Sequence, residues 1–136
     1  MSDATPPPGP QPGYQPPAPP TPLSDSDQRL WSTLTHLGWI AGSFIGLPFL
    51  PALVAYLVFK ERGGYVRQHT AAALNFQISW LLWGIAIVIL SIVTLGLGLL
   101  LIFPFAVAYI VFTVVDAVHA NKGEAPSSFL SLSLVR

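Results

Sequence analysis

Two stretches of this chain, Leu30 to Phe59 and Gln68 to Val115, contain no Asp, Glu, Lys or Arg. A helix rises 1.5 Å per residue and crosses the ~30 Å hydrocarbon core of a bilayer in about 20 residues. The second stretch therefore has room for two crossings, and the first for one with residues to spare. Charged residues make up only 9 % of the chain, whereas a soluble domain carries roughly a quarter. Such a chain cannot cover itself for water on every side, so part of its solvent must be lipid. The expected fold class is an all-α membrane protein, a compact bundle with two full transmembrane helices preceded by a proline-broken hydrophobic segment.

Residues 1–26 read as a disordered proline-rich tail. Ten of the fourteen prolines fall within the first 23 residues, and so little apolar surface cannot offset the entropy of ordering them. Pro7 to Pro10 and Pro17 to Pro20 have PxxP spacing, which fits weak docking on an SH3-like or WW-like groove. No Lys or Arg flanks either motif, and a solvated tether is the simpler reading.

The transmembrane domain is expected over 27–120. Ser24 and Asp27 stand at capping-box spacing, a helix-start signature. Leu30, Trp31, Leu34 and Leu37 then recur at helical spacing, with Trp31 and Trp39 as interfacial belt residues. Gly38, Gly42 and Gly46 follow every fourth residue, a stripe that lets another helix approach closely and offers a route to self-association or to a membrane partner. Pro48 and Pro51 must kink or break the run. Pieces 27–47 and 50–60 therefore form either one kinked crossing or a short helical hairpin. Helices at 65–94 and 99–120 are separated by a turn at Gly96 and Gly98. The polar tail 121–136 ends in alternating Leu and Ser, suited to a short strand or to the membrane surface.

Lysine and arginine near span ends mark the cytoplasmic side. Lys60, Arg62 and Arg67 place the loop before the 65–94 helix inside, and Lys122 and Arg136 return there two crossings later. The C-terminus is then cytoplasmic, and the hairpin geometry, favoured by Arg29, puts the N-terminus there too. The expected location is the plasma membrane of a bacterium, with several passes. The apolar N-terminal start of a cleavable signal peptide is missing, so the first hydrophobic segment is expected to stay.

Ionisable residues at membrane depth are costly and often functional. His36, His69, Asp116 and His119 are the candidates. Asp116 and His119 share a helix face, and with His69 they are the candidate ligands of a metal or proton site at the inner mouth of the bundle. The competing reading, headgroup-level residues satisfied by water, fits their nearness to helix ends, and no metal or cofactor is expected. Deeper in, Gln68, Asn75 and Ser79 share one face, and with Gln77 they are expected to hydrogen-bond between helices, each bond contributing on the order of 0.6 kcal/mol. The alternative is a polar stripe gripping a translocating chain or solute. There is no cysteine, no nucleophile-elbow pattern, no phosphate-binding glycine loop and no basic patch for nucleic acid. No enzymatic activity is expected.

The segment Tyr65-Val66-Arg67-Gln68-His69-Thr70-Ala71-Ala72-Ala73-Leu74-Asn75-Phe76-Gln77 resembles a pattern, F-V-x-x-H-A-x-E-A-L-N-F-Q, of small bacterial membrane proteins. Leu34-Thr35-His36-Leu37 and Ala120-Asn121-Lys122-Gly123-Glu124 resemble that family's other two motifs, L-A-H-L and A-N-K-G-E. The family is Tic-twenty-like, grouped with a chloroplast protein-import component. Ala72 stands where the family pattern carries Glu. The resemblance implies a multi-helix membrane domain and no defined activity. Three functions follow as expectations: a non-enzymatic scaffold or accessory subunit, a component assisting polypeptide or solute translocation, and a small proton- or metal-linked transporter.

Overall fold

The computed structural model describes residues 13, 16–127 and 129–136. Most of the proline-rich tail, with the Pro7 to Pro10 motif, lies outside the described residues. Helix α1 covers Asp25–Leu37, α2 Trp39–Phe44, α3 Leu50–Phe59, α4 Gly64–Val93 and α5 Ile102–Lys122, and a 3-10 turn at Leu97–Leu101 leads into α5. Among the described residues there is no strand. The expected all-helical bundle with two long apolar helices is the fold observed.

Helix α1 starts where its capping chemistry says it should. The Ser24 hydroxyl oxygen accepts the Asp27 amide at 3.2 Å, and the hydroxyl donates to the Asp27 carboxylate at 2.7 Å. Asp25 and Asp27 in the first turn suit the positive end of the helix dipole. Helix α2 prolongs α1 past Gly38, and the chain then reverses at Gly46, whose φ of +75° is open to glycine and strained for other residues. Pro51 occupies the first turn of α3, where a missing amide costs nothing.

The first hydrophobic segment is thus a hairpin, and its two ends meet. Leu23 donates its amide to the Arg62 carbonyl at 2.7 Å, and Arg62 Nε donates to the Thr21 carbonyl at 3.2 Å. The Trp31 and Phe59 rings stack with centroids 4.7 Å apart. Gly38 and Gly42 make this closure possible. A Cβ on Gly38 would meet Pro51 Cβ at 2.8 Å, and one on Gly42 would meet the Leu47 carbonyl oxygen at 2.5 Å. The glycine stripe therefore faces the hairpin's own returning arm, and Gly46 serves the turn.

The 30 residues of α4 run about 45 Å, well beyond a hydrocarbon core. The surplus sits at its N-terminal end. Buried side chains cluster between Val66 and Trp80, and beyond Trp80 only Ser91 is buried. In α5 the buried residues, Thr113, Asp116, Ala117 and Ala120, all lie in the C-terminal half. The molecule therefore has a packed base, where α1 and α3 cover α4 and α5, and an apolar end where the long helices face outward. Leu95, at the tip, is 97 % exposed.

The base core is polar inside. Thr35, Thr70 and Thr113 are buried, and each hydroxyl donates to the carbonyl four residues earlier, at 2.7, 2.8 and 2.8 Å. Such local bonds let hydroxyls pack between helices without needing a cross-helix partner. Gly123, at φ +84°, ends α5, and the Tyr65 hydroxyl donates to the freed Ala120 carbonyl at 2.7 Å. That bond satisfies a helix-end acceptor that would otherwise stay bare.

Candidate functional site

Two polar constellations occupy the base, and both are built on α4. The first joins His36 of α1 to His69 of α4. Both imidazoles are buried, with His36 Nε2 3.2 Å from His69 Nδ1. His69 Nε2 lies 2.9 Å from the Glu124 carbonyl, which can only accept, so that nitrogen carries the proton. In neutral His69 the other nitrogen is then an acceptor, and His36 Nε2–H donates to it. The pair forms a directed chain from α1 through α4 to the loop after α5. Tyr65 packs on the His69 ring at 4.6 Å. His36 belongs to the amphipathic base helix, outside α4 and α5, and burial together with the neighbouring His69 and His119 holds its pKa down at about 3.

Asp116 is fully buried and accepts the Ser127 amide at 2.8 Å. His119 lies partly exposed, with Nε2 3.6 Å from a Glu124 carboxylate oxygen. The sequence places His69, Asp116 and His119 in one mouth; there Asp116 takes the Ser127 amide, while His69 and His119 both turn to Glu124, one to its carbonyl and one to its carboxylate. His36, unassigned as a ligand, is the side chain that pairs with His69. Among the described residues no group of three or more His, Cys, Asp or Glu is arranged to hold a metal ion.

The second constellation binds the chain's own C-terminus. Asn75 Nδ2 donates to the Val135 carbonyl at 2.7 Å, while its Oδ1 accepts the Val135 and Leu134 amides at 2.8 and 3.1 Å. Ser79 Oγ accepts the Leu132 amide at 2.7 Å and passes its own proton to the Asn75 carbonyl at 2.6 Å. The Tyr56 hydroxyl and Arg67 both donate to the Arg136 carbonyl, at 2.8 and 3.3 Å. The Leu/Ser run is thereby laid as a strap along α4, with a tight turn where the Leu134 amide donates to the Leu132 carbonyl at 3.0 Å. Gln68 is exposed beside the strap cleft, and Gln77 points to a different face from Asn75 and Ser79.

Sequence reasoning assigned none of Tyr56, Tyr65 and Arg67 to these constellations. Tyr56, Tyr65 and Arg67 carry no local signal, because their partners lie 80, 55 and 69 residues away. The usable signal for Asn75 and Ser79 was their four-residue spacing, which marked a face without naming its occupant.

No curated protein and no solved structure matches the chain. The sequence model of the magnetosome magnetite crystal formation protein family matches residues 27–135. This match overturns the resemblance to the Tic-twenty-like family. The segments that carried the resemblance owe much of their pattern to packing: Ala73 and Leu74 form the base core with Ala52, Asn75 holds the strap, and His36 and His69 pair. The matched region runs from the first turn of α1 to Val135 of the strap, and the chain belongs to the magnetosome magnetite crystal formation protein family.

Proposed function

We propose that this chain is a non-enzymatic accessory protein of the magnetosome membrane that influences magnetite crystal growth from within the bilayer. The observation that carries the reading is the family match over residues 27–135, and the two long apolar helices α4 and α5 support it. The distribution of charge supports action through the membrane rather than as a coat on the mineral. Iron and oxide surfaces are held by carboxylate and imidazole ligands. From Gln68 to Val115 there is no Asp, Glu, Lys or Arg, and the exposed tip is built from Thr94, Leu95, Gly96 and Leu97. Charges gather at the base, with α1, the α3–α4 loop and the end of α5. The face that a translocation reading needs open, Asn75 and Ser79, is filled by the chain's own strap.

The test is deletion of the coding sequence in a host that carries it, followed by electron microscopy of the crystals. The reading expects a changed distribution of crystal size or shape, restored by a plasmid copy of the full chain. An unchanged distribution in the deletion strain sinks it.

A further inference from the structure

The hairpin turns back at Gly46–Pro48 while α4 and α5 continue, and a cleft of about 610 Å³ opens beneath the turn. That size lies within the range of about 300–1,000 Å³ usual for small-molecule sites. Towards the tip its walls are aliphatic, with Leu81, Ile85 and Val88 on α4. At the end nearest the base it is bounded by Trp39, Gln77 and Trp80.

Those three residues carry buried polar atoms with no partner: Trp39 Nε1, Trp80 Nε1 and Gln77 Oε1. Gln77 is 5 % exposed and Trp80 3 %. Buried polar groups are almost always hydrogen-bonded, and the exceptions call for an explanation. Both indoles are packed among aromatic neighbours. Trp39 meets Tyr109 edge-on at 5.2 Å, and Trp80 lies between Phe105 at 4.5 Å and Phe76 at 5.2 Å. Gly84 leaves space partway down the wall, where an added Cβ would touch only Phe105, at 3.7 Å.

We propose that this cleft binds one molecule of a monoacyl glycerophospholipid. Two indole N–H donors ask for one acceptor, which the ester carbonyl provides. The Gln77 oxygen asks for a donor, which the free hydroxyl on the adjacent glycerol carbon provides. The methylene chain takes the aliphatic walls, which run from Gln77 to Ile89, about 18 Å along α4. A diacyl lipid lacks the hydroxyl. A free fatty acid would bring a carboxylate to a cleft lined by no Lys or Arg. All three atoms are shielded in the structure, so binding as proposed turns them into the cleft.

The test uses the full chain in a mild detergent, mixed with monoacyl phosphatidylethanolamine and read by native mass spectrometry. One retained lipid per chain is expected, with diacyl phosphatidylethanolamine and an ether-linked monoacyl analogue retained about tenfold less, the measure of one lost hydrogen bond. Gly84→Leu, which fills the cleft, should abolish retention. Trp39→Phe with Trp80→Phe, which removes both indole donors while keeping an aromatic ring at each position, should erase the preference for the ester over the ether. Helicity and a monodisperse elution profile confirm that each variant is folded, and the two act by independent means. Equal retention by Gly84→Leu, or equal retention of the ester and ether lipids by the unaltered chain, overturns the proposal.

Discussion

Asn75 shows what one side chain achieves when its donor and acceptor both face one stretch of backbone. It replaces the strand partner that the strap would otherwise need, through three hydrogen bonds. Asn75→Leu should therefore leave the Val135 amide and carbonyl without partners, while the Leu134 amide keeps the Leu132 carbonyl, at a cost of about 1–3 kcal/mol. Carboxypeptidase digestion of the purified chain should then release residues from the C-terminus much faster than in the parent. Gln68→Ala, at an exposed position on the same helix, should stay within about 0.5 kcal/mol of the parent. His36 gives a pH dependence at the same scale. Its folded pKa is lowered to about 3 from an ordinary 6.5, chiefly by burial, so between these values the unfolded chain binds the extra proton. Stability is then fully present above about pH 6.5 and falls as the pH drops towards 3. Thermal midpoints in detergent at pH 7.5, 6, 5 and 4 should decline, and His36→Gln should flatten the slope.

At the scale of elements, the hairpin depends on two glycines for different reasons. Gly42 is a matter of space, because its Cβ would meet the Leu47 carbonyl oxygen and Pro48 Cα, both backbone and unable to step aside. Gly42→Ala should cost about 1–3 kcal/mol, as overpacking does. Gly46 is a matter of conformation, since nothing lies within 4 Å of its Cβ position but φ is +75°. Gly46→Ala should cost about 1–2 kcal/mol, the usual penalty of a left-handed residue. Gly64→Ala also meets open space, at an ordinary helical φ, and should leave stability unchanged or raise it. Thermal unfolding of the three variants side by side separates the two causes. Midpoints for Gly42→Ala and Gly46→Ala no lower than that of Gly64→Ala would overturn both assignments.

For the whole molecule, the meeting of the hairpin's ends at the base has a consequence for topology. With Leu23 bonded to Arg62 and Tyr65 bonded to Ala120, the start of α1, the α3–α4 loop and the end of α5 share one level. The chain has no cysteine, so single cysteines report cleanly. In sealed membrane vesicles, Ser26→Cys and Asn121→Cys should both label with an impermeant thiol reagent from one face, and Leu95→Cys only from the other. Labelling of Ser26→Cys from the face opposite to Asn121→Cys would mean that the first segment crosses the membrane and the hairpin is wrong there.

The helices and the start of α1 were legible in the chain because they follow from local causes. Charge-free length marks α4 and α5, Ser24 with Asp27 marks the N-terminus of α1, and Pro48 with Pro51 marks the break. The glycine spacing announced a close approach without saying that the approaching backbone was the chain's own. The polar residues were harder to assign, since a four-residue spacing defines a face and says nothing of what lies against it. His36 and His69 are 33 residues apart, and Asn75 and Val135 are 60 apart. By itself the sequence determined the apolar character, the number of long helices and the break at the prolines, because hydropathy and backbone sterics act within a few residues. Only the tertiary structure decided which face of α4 receives the strap, which histidines meet and where the cleft opens, because those depend on how far the hairpin reaches before it turns back.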